Sequence, residues 1–209
     1  MKYMGMPWGM WTLFAGSFQA QLTDVLGYNE QTAKASTRRA KAKYKEILSC
    51  LPEFEKGDRF KINLVGCAML GAFVLTMPER PNVDRLTEYY AKAMMTKPMR
   101  WFCRKSGEKK FTPQSVAGLQ ATAALKAADR NPYSWNMDFY EYPDGSGYEA
   151  RFTKCGICVL MRELGLYDLT PALCRLDYTM SEAGGTADFR RQYTLASGGP
   201  YCDCGYKKK

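Results

Sequence analysis

The first 130 residues carry apolar side chains at the three- and four-residue spacing of amphipathic helices. Residues 28–54 form one such run, and Asn29 stands at its start as a helix-capping side chain. Residues 62–77 are almost continuously apolar and follow Asp58, which we expect to cap them. Because this stretch contains Asn63 and is shorter than a membrane span requires, it predicts a buried core helix.

Two more helices are predicted before residue 130. One begins at Asn82 or Asp84, and Thr112 with Pro113 begins an alanine-rich helix over residues 114–129. The apolar positions of the first are Leu86, Tyr89, Tyr90, Ala93, Met94 and Trp101. The N-terminal half is therefore predicted to be mainly helical.

The pattern changes after residue 130, where aromatic and apolar residues begin to alternate with polar ones. Turn-forming clusters at 143–147 and 197–200 separate alternating segments, and Gly165 ends a helical one. In chain order we predict strands at 135–142 and 148–154, helices at 155–164 and 170–183, and strands at 189–196 and 201–206. The predicted fold class is α+β, with a helical N-terminal half followed by an antiparallel sheet of about four strands (ββ-αα-ββ) packed with helices. We expect residues 1–209 to form a single domain, with residues 1–130 as its mainly helical part.

The chain carries 30 Lys and Arg against 21 Asp and Glu, a formal net charge of +9. Such an excess is compatible with nucleic acid, a membrane surface or an anionic substrate. The basic residues are dispersed, however, and those at 34–45 are interleaved with alanine on one helix, which is typical of a solvated face. No nucleic-acid-binding motif accompanies them. We therefore expect no nucleic-acid and no membrane partner, and a homo-oligomer is left open.

Histidine is absent, so the chain lacks the commonest general base and metal ligand. Its chemistry must use Cys, Asp, Glu, Lys, Arg, Tyr, Thr or backbone groups. Eight cysteines in 209 residues do not suggest a disulfide framework, and no small-x-small cleavage site follows the apolar N-terminal stretch. We expect reduced thiols and a cytoplasmic location.

Five of the eight cysteines lie in the last sixty residues. Cys155 and Cys158 form a C-x-x-C pair, and Cys202 and Cys204 form a C-x-C pair. These four are weak candidates for a zinc site, and the first pair is also a candidate redox motif. The alternative is that they pack inward, because the interval between the pairs is long and no βαβ unit surrounds the first. We expect no cofactor, with zinc as the alternative.

Cys174 and Asp177 are three residues apart on the predicted helix from Thr170, so they share one face. A thiol beside a carboxylate fits a nucleophile with its base. A buried cysteine beside a surface acid is the alternative, because cysteine often serves as a small apolar residue. The sequence leaves both interpretations open.

Arg191 is predicted on a strand, on the same face as three apolar side chains. These are Phe189, Tyr193 and Leu195. A guanidinium on an apolar face needs a partner, which is either an acid of the protein or a substrate carboxylate. The acids considered are Asp177, Glu163 and Asp203. Gly198 and Gly199 most simply form the turn between strands, and an anion site at their amides is the alternative.

The last sixty residues also contain an ordered series of short patterns. A cysteine opens a helix, an E-x-G segment follows, and P-x-x-C-x-x-D, R-x-x-T-L-A-x-G-G and C-D come after it. In this order they resemble the L-2-amino-thiazoline-4-carboxylic acid hydrolase family, except that Cys204 stands where the family usually has an aromatic residue. The matching positions are Cys155, Glu163, Gly165, Pro171, Cys174, Asp177, Arg191, Thr194, Leu195, Gly198, Gly199, Cys202 and Asp203.

The resemblance implies hydrolytic opening of a cyclic isothiourea to N-carbamoyl-L-cysteine, and therefore a small-molecule substrate with a carboxylate. It implies that Cys174 is a nucleophile or pocket thiol, and that Asp177 or Glu163 is the acid–base. The implied substrate-binding residues are Arg191 as carboxylate anchor, Thr194, Gly198, Gly199 and Asp203. A non-catalytic sensor that binds a small molecule or a metal is the alternative function.

Overall fold

The computed structural model describes residues 7–55 and 58–209. Residues 1–6, which begin the apolar N-terminal stretch, lie outside the described residues. The helices are α1 (Pro7–Asp24), α2 (Glu30–Cys50), α3 (Lys61–Val74), α4 (Val83–Met94), α5 (Lys97–Lys109), α6 (Pro113–Ala127), α7 (Gly156–Glu163) and α8 (Thr170–Gly184). The strands are β1 (Asn136–Glu141), β2 (Gly147–Lys154), β3 (Ala187–Arg190) and β4 (Cys202–Lys208).

The described residues divide into two compact units. One contains the residues up to Thr96 together with Ile157–Leu173, and the other contains Lys97–Gly156 and Cys174–Lys209. Helix α8 therefore contributes residues to both units. The expectation of a single domain stays a prediction.

Aromatic side chains fill the core of the first unit. The ring of Phe18 lies 4.9 Å from that of Phe73 and meets the ring of Tyr89 edge-on at 5.6 Å, and all three side chains are fully buried. Helix α3 is buried at every position from 64 to 74, which confirms the predicted core helix. Among the described residues, no helix combines the length and apolarity needed to cross a membrane.

The second unit carries a four-stranded antiparallel sheet in the order β1-β2-β4-β3. This sheet and the helical N-terminal half confirm the predicted α+β class. β1 and β2 form the predicted hairpin, and β4 lies between β2 and β3. At Gly147 a Cβ atom would lie only 1.9 Å from the carbonyl oxygen of Tyr206, so glycine is required where β2 and β4 meet.

Helix starts follow the predicted capping residues. The side-chain oxygen of Asn29 accepts the N–H of Thr32 at 2.8 Å, and Asn82 and Thr112 cap α4 and α6 in the same way. Asp58 accepts the N–H groups at the start of α3, although it lies just before the cap position.

The helix predicted from Asn82 through Trp101 is wrong as a single element. α4 ends at Met94, and a separate helix, α5, begins at Lys97. Pro98 explains the break, because in a continuous helix proline has no N–H to donate to the carbonyl of Met94 and its ring would clash with that carbonyl. Trp101 consequently belongs to α5 and is 57% exposed instead of lying on the buried face of α4.

The strand predicted over residues 189–196 is also wrong beyond Arg190, where β3 ends. The N–H groups of Gln192 and Tyr193 donate to the carboxylate of Asp203, at 2.8 and 2.6 Å. Because this acid replaces a neighbouring strand as hydrogen-bond acceptor, the ladder does not continue. The predicted strand face that Arg191 was to share with Tyr193 and Leu195 therefore does not exist.

Candidate functional site

Four aromatic rings cross one face of the sheet in the second unit. Tyr148 lies directly opposite Tyr206, and Tyr206 directly opposite Phe189, so their side chains point to the same face. Ring centroids are 5.2 Å apart for Phe139 and Tyr148, 5.4 Å for Tyr148 and Tyr206, and 5.0 Å for Tyr206 and Phe189. Tyr178 of α8 meets Phe189 edge-on at 4.7 Å. These five rings, the aromatic row, form the floor of the candidate site.

Arg191 lies over the aromatic row, with its guanidinium carbon 4.7 Å from the centre of the Phe189 ring. Its Nη2 donates to Asp177 at 2.5 Å and to the sulfur of Cys204 at 2.9 Å. Its Nη1 donates to the backbone carbonyl of Cys174 at 2.9 Å. The side chain of Arg191 is only 6% exposed. Of the partners considered from the sequence, Asp177 is the acid that binds Arg191.

The Asp177 carboxylate differs from Arg191 in its contact with water. Solvent reaches 43% of the Asp177 side chain, so this residue is the more open member of the ion pair. Loss of surrounding water raises its pKa above the ordinary value, and the charges of Arg191 and Lys110 oppose that rise. Desolvation opposes the charge on Arg191, but the neighbouring Asp177 and Cys204 raise the pKa of the guanidinium. A cation that stays charged thus holds an acid that accepts a proton more readily than usual.

The loop after β3 positions Arg191. The carboxylate of Asp203 on β4 fixes the first turn of this loop by accepting the backbone N–H groups of Gln192 and Tyr193. Thr194 caps a short 3₁₀ helix, Leu195–Ser197, by accepting the N–H of Ser197 at 3.1 Å. Asp203 and Thr194, both predicted to bind substrate, therefore make structural contacts, and a direct substrate contact stays a prediction for each.

Gly198 and Gly199 complete this loop. Gly198 has φ of 80°, the left-handed conformation that favours glycine, and its N–H donates to Leu195. The N–H of Gly199 donates to the carbonyl of Thr194 at 2.9 Å. Both amides thus serve the turn, the simpler of the two interpretations drawn from the sequence.

Three thiols surround the ion pair. Burial raises the pKa of the thiols of Cys174 and Cys204 to about 12 each, against an opposing effect of Arg191. Burial also raises the pKa of Cys202, whose sulfur accepts the N–H of Leu195 at 3.2 Å. These thiols are therefore protonated near neutral pH and are weak nucleophiles as they stand.

The remaining predicted residues lie elsewhere. Cys158 and Glu163 belong to the first unit, where Cys158 is buried and Glu163 is exposed on α7. Cys155 belongs to the second unit. In the part of the chain that the structure describes, no three Cys, Asp or Glu side chains are grouped to hold a metal ion. The catalytic role of Glu163 stays a prediction.

Lys110 is a site residue that sequence reasoning missed. It follows α5, and its Nζ lies 3.6 Å from the centre of the Tyr206 ring, next to the ring that supports Arg191. Burial lowers its pKa to about 8, although Asp177, Cys103 and Cys204 all act to raise it. Nothing in the sequence separates Lys110 from the exposed Lys109 beside it.

Fold and site together define the class: an α+β protein that holds a buried arginine–carboxylate pair over an aromatic sheet face. The family model described as L-2-amino-thiazoline-4-carboxylic acid hydrolase matches residues 62–206, more than half of the chain. The chain therefore belongs to this family, and the match extends well beyond the last sixty residues, back to α3. Comparisons with curated proteins and with solved structures give no match.

Proposed function

We propose that this protein hydrolyses a small cyclic amidine that carries a carboxylate, with L-2-amino-thiazoline-4-carboxylate opened to N-carbamoyl-L-cysteine as the leading candidate. The observation that carries the proposal is that Asp177, whose side chain is half-exposed and whose pKa is raised, is held against the buried Arg191. Membership of the family agrees with the substrate class.

The chemistry requires one water molecule and no change of oxidation state. The water oxygen attacks the ring carbon between nitrogen and sulfur and loses a proton to a base. The attacking oxygen gives up its second proton to the amidine nitrogen and becomes the carbonyl oxygen of the product. The bond from this carbon to sulfur breaks, and sulfur takes up the proton held by the base. A single acid–base group can accept the first proton and return it to the leaving sulfur.

Asp177 is our candidate for this group. The chain has no histidine, and a carboxyl group with a raised pKa can exchange a proton nearer neutral pH than an ordinary aspartate. Its access to solvent supports contact with water or substrate. Arg191 holds this carboxylate in one orientation by donating to one of its oxygens at 2.5 Å.

Cys174 is assigned a place in the wall of the site instead of the role of nucleophile. A thiol whose pKa is about 12 supplies very little thiolate at neutral pH. Attack by water activated at Asp177 therefore does not require deprotonation of this buried thiol, whereas attack by Cys174 does. The two routes differ in a testable way, because only the second passes through a covalent enzyme intermediate.

Incubation of purified protein with L-2-amino-thiazoline-4-carboxylate tests the proposal. We expect mass spectrometry to detect a product heavier by one water, together with a new thiol, and we expect Asp177→Asn to abolish both. Asp188→Asn is the matched control, because Asp188 is an exposed acid of the same unit at the sheet edge. No product from the wild-type protein would contradict the proposed activity, and full activity of Asp177→Asn would contradict the role of Asp177. Binding of the thiazoline without turnover would favour the sensor alternative.

A further inference from the structure

The proposed substrate carries a carboxylate, and Arg191 was its predicted anchor. In the structure that guanidinium is already matched by Asp177, and its Nη1 and Nη2 atoms donate to groups of the protein. Its Nε atom has no partner among the described residues but is completely buried. A substrate carboxylate would therefore have to displace Asp177 to pair with Arg191.

Within the described part of the chain, Lys110 is a second cation over the aromatic row. Its ammonium lies against the ring of Tyr206 at 3.6 Å from the ring centre, and Tyr206 is the immediate neighbour of Phe189, over which Arg191 lies. Among the residues that the structure describes, the ammonium group of Lys110 makes no hydrogen bond or ion pair, and its backbone N–H donates to Gly107. Attraction to an aromatic face compensates only part of the hydration that a half-buried ammonium loses.

We propose that Lys110 anchors the carboxylate of the substrate. The inference rests on the proposed function for the identity of the ligand, and on the position of Lys110 over the aromatic row for the site. A carboxylate at Lys110 supplies a counter-charge in direct contact with the ammonium and leaves the Asp177–Arg191 pair intact. The attached ring then lies on the side of the sheet where Asp177 is found.

The electrostatics of Lys110 agree with this assignment. Burial lowers the pKa of Lys110 to about 8, because the ammonium form is less stable in the empty site than in water. A bound carboxylate stabilises the ammonium form and raises the pKa of Lys110. Binding should consequently weaken as the pH rises through and above about 8, where the unliganded amine loses its proton.

Three variants test the anchor. Lys110→Met removes the charge and keeps an unbranched side chain, Lys110→Arg keeps a charge that does not titrate, and Lys109→Met is the matched control at an exposed neighbour. For Lys110→Met we expect KM for the thiazoline carboxylate to rise at least about tenfold while kcat changes less than about threefold. Lys110→Arg should restore most of the binding and keep it above pH 8, and Lys109→Met should behave as wild type.

Direct binding separates this inference from the proposed activity. Calorimetric titration with L-2-amino-thiazoline-4-carboxylate and with its uncharged carboxamide should show that Lys110→Met weakens only the binding of the carboxylate. This measurement does not require turnover, so an inactive wild-type protein that binds the carboxylate through Lys110 would contradict the activity alone. The anchor role would be overturned if Lys110→Met weakened binding of both ligands equally, left carboxylate binding unchanged, or reduced only kcat. It would also be overturned if the wild-type protein did not bind the carboxylate. Circular dichroism of Lys110→Met and the recovery in Lys110→Arg distinguish lost binding from lost folding.

Discussion

The Asp177–Arg191 pair gives a quantitative prediction, because its two members are buried to very different extents. Arg191 is 6% exposed and Asp177 43% exposed. Asp177→Asn leaves a buried guanidinium that cannot give up its proton, whereas Arg191→Met leaves a carboxylate that water can solvate. The loss of Asp177 should therefore destabilise the fold more than the loss of Arg191.

Magnitudes follow from the same geometry. Removal of one partner of a buried ion pair lowers the free energy of unfolding by about 3–5 kcal/mol. We expect about 3 kcal/mol for Asp177→Asn, because solvent screens part of the interaction. For Arg191→Met we expect about 1–2 kcal/mol, since methionine retains much of the packing and mainly the hydrogen bonds are lost. The double variant should be more stable than the sum predicts by about 2 kcal/mol, since it leaves no unpaired charge.

Urea unfolding at pH 7, followed by circular dichroism, measures all four members of this cycle. The slope of the unfolding free energy against urea must stay constant for the comparison to hold. Asp188→Asn is the control, because this exposed acid lies 3.9 Å from Lys209 and should contribute less than about 0.5 kcal/mol. Additivity of the two single changes within about 0.5 kcal/mol would refute the argument that each charge compensates the other.

Three further predictions concern Asp129, Gly156 and Cys174 of the second unit, the last two with a comparison residue in the first unit. Burial raises the pKa of Asp129, but hydrogen bonds from the neighbouring Lys126 and Ser134 side chains outweigh this effect and lower the pKa to about 2. The ionised acid therefore stabilises the fold above about pH 4. This contribution is lost as the pH falls from about 4 to 2. Asp129→Asn should lower the free energy of unfolding by roughly 1–2 kcal/mol at pH 7, after allowance for solvent screening, and by much less near pH 2. Urea unfolding at both pH values measures this difference, and an equal loss at both would contradict it. Gly156→Ala should destabilise the fold by more than about 2 kcal/mol, because its Cβ would lie 1.9 Å from a backbone oxygen. Gly16→Ala, whose Cβ would have nothing within 4 Å, should stabilise α1 slightly, and thermal unfolding of both variants measures the difference. Iodoacetamide at pH 8 should modify the exposed Cys50 but not Cys174, whose pKa is about 12, and peptide mass spectrometry that finds Cys174 labelled in the folded protein would contradict that assignment.

Local rules account for much of the fold. Asn29, Asn82 and Thr112 were predicted helix caps, and each accepts a backbone N–H at the start of a helix. The error at Trp101 arose because the apolar spacing continued across Pro98, whose backbone effect ended the helix regardless of that spacing.

The site was less accessible from the sequence. Cys174 and Asp177 were placed on one helix face by their spacing, and Arg191 was predicted to require a partner. The strand face on which that expectation rested does not exist, but Arg191 is nevertheless buried by its tertiary contacts, and the cost of burying its charge requires a partner all the same. Which acid met the charge depended on long-range contacts that no local pattern encodes.

The sequence by itself determined the helix starts at Asn29, Asn82 and Thr112, the hairpin and the α+β class, because these follow from interactions between residues close in the chain. The tertiary structure alone decided that Arg191 pairs with Asp177, that Asp203 ends β3, and that Lys110 lies against Tyr206. Such pairings join residues 10 to 96 positions apart. The desolvation that shifts a pKa likewise depends on everything that surrounds a side chain, so two adjacent lysines with the same local sequence can differ entirely in their chemistry.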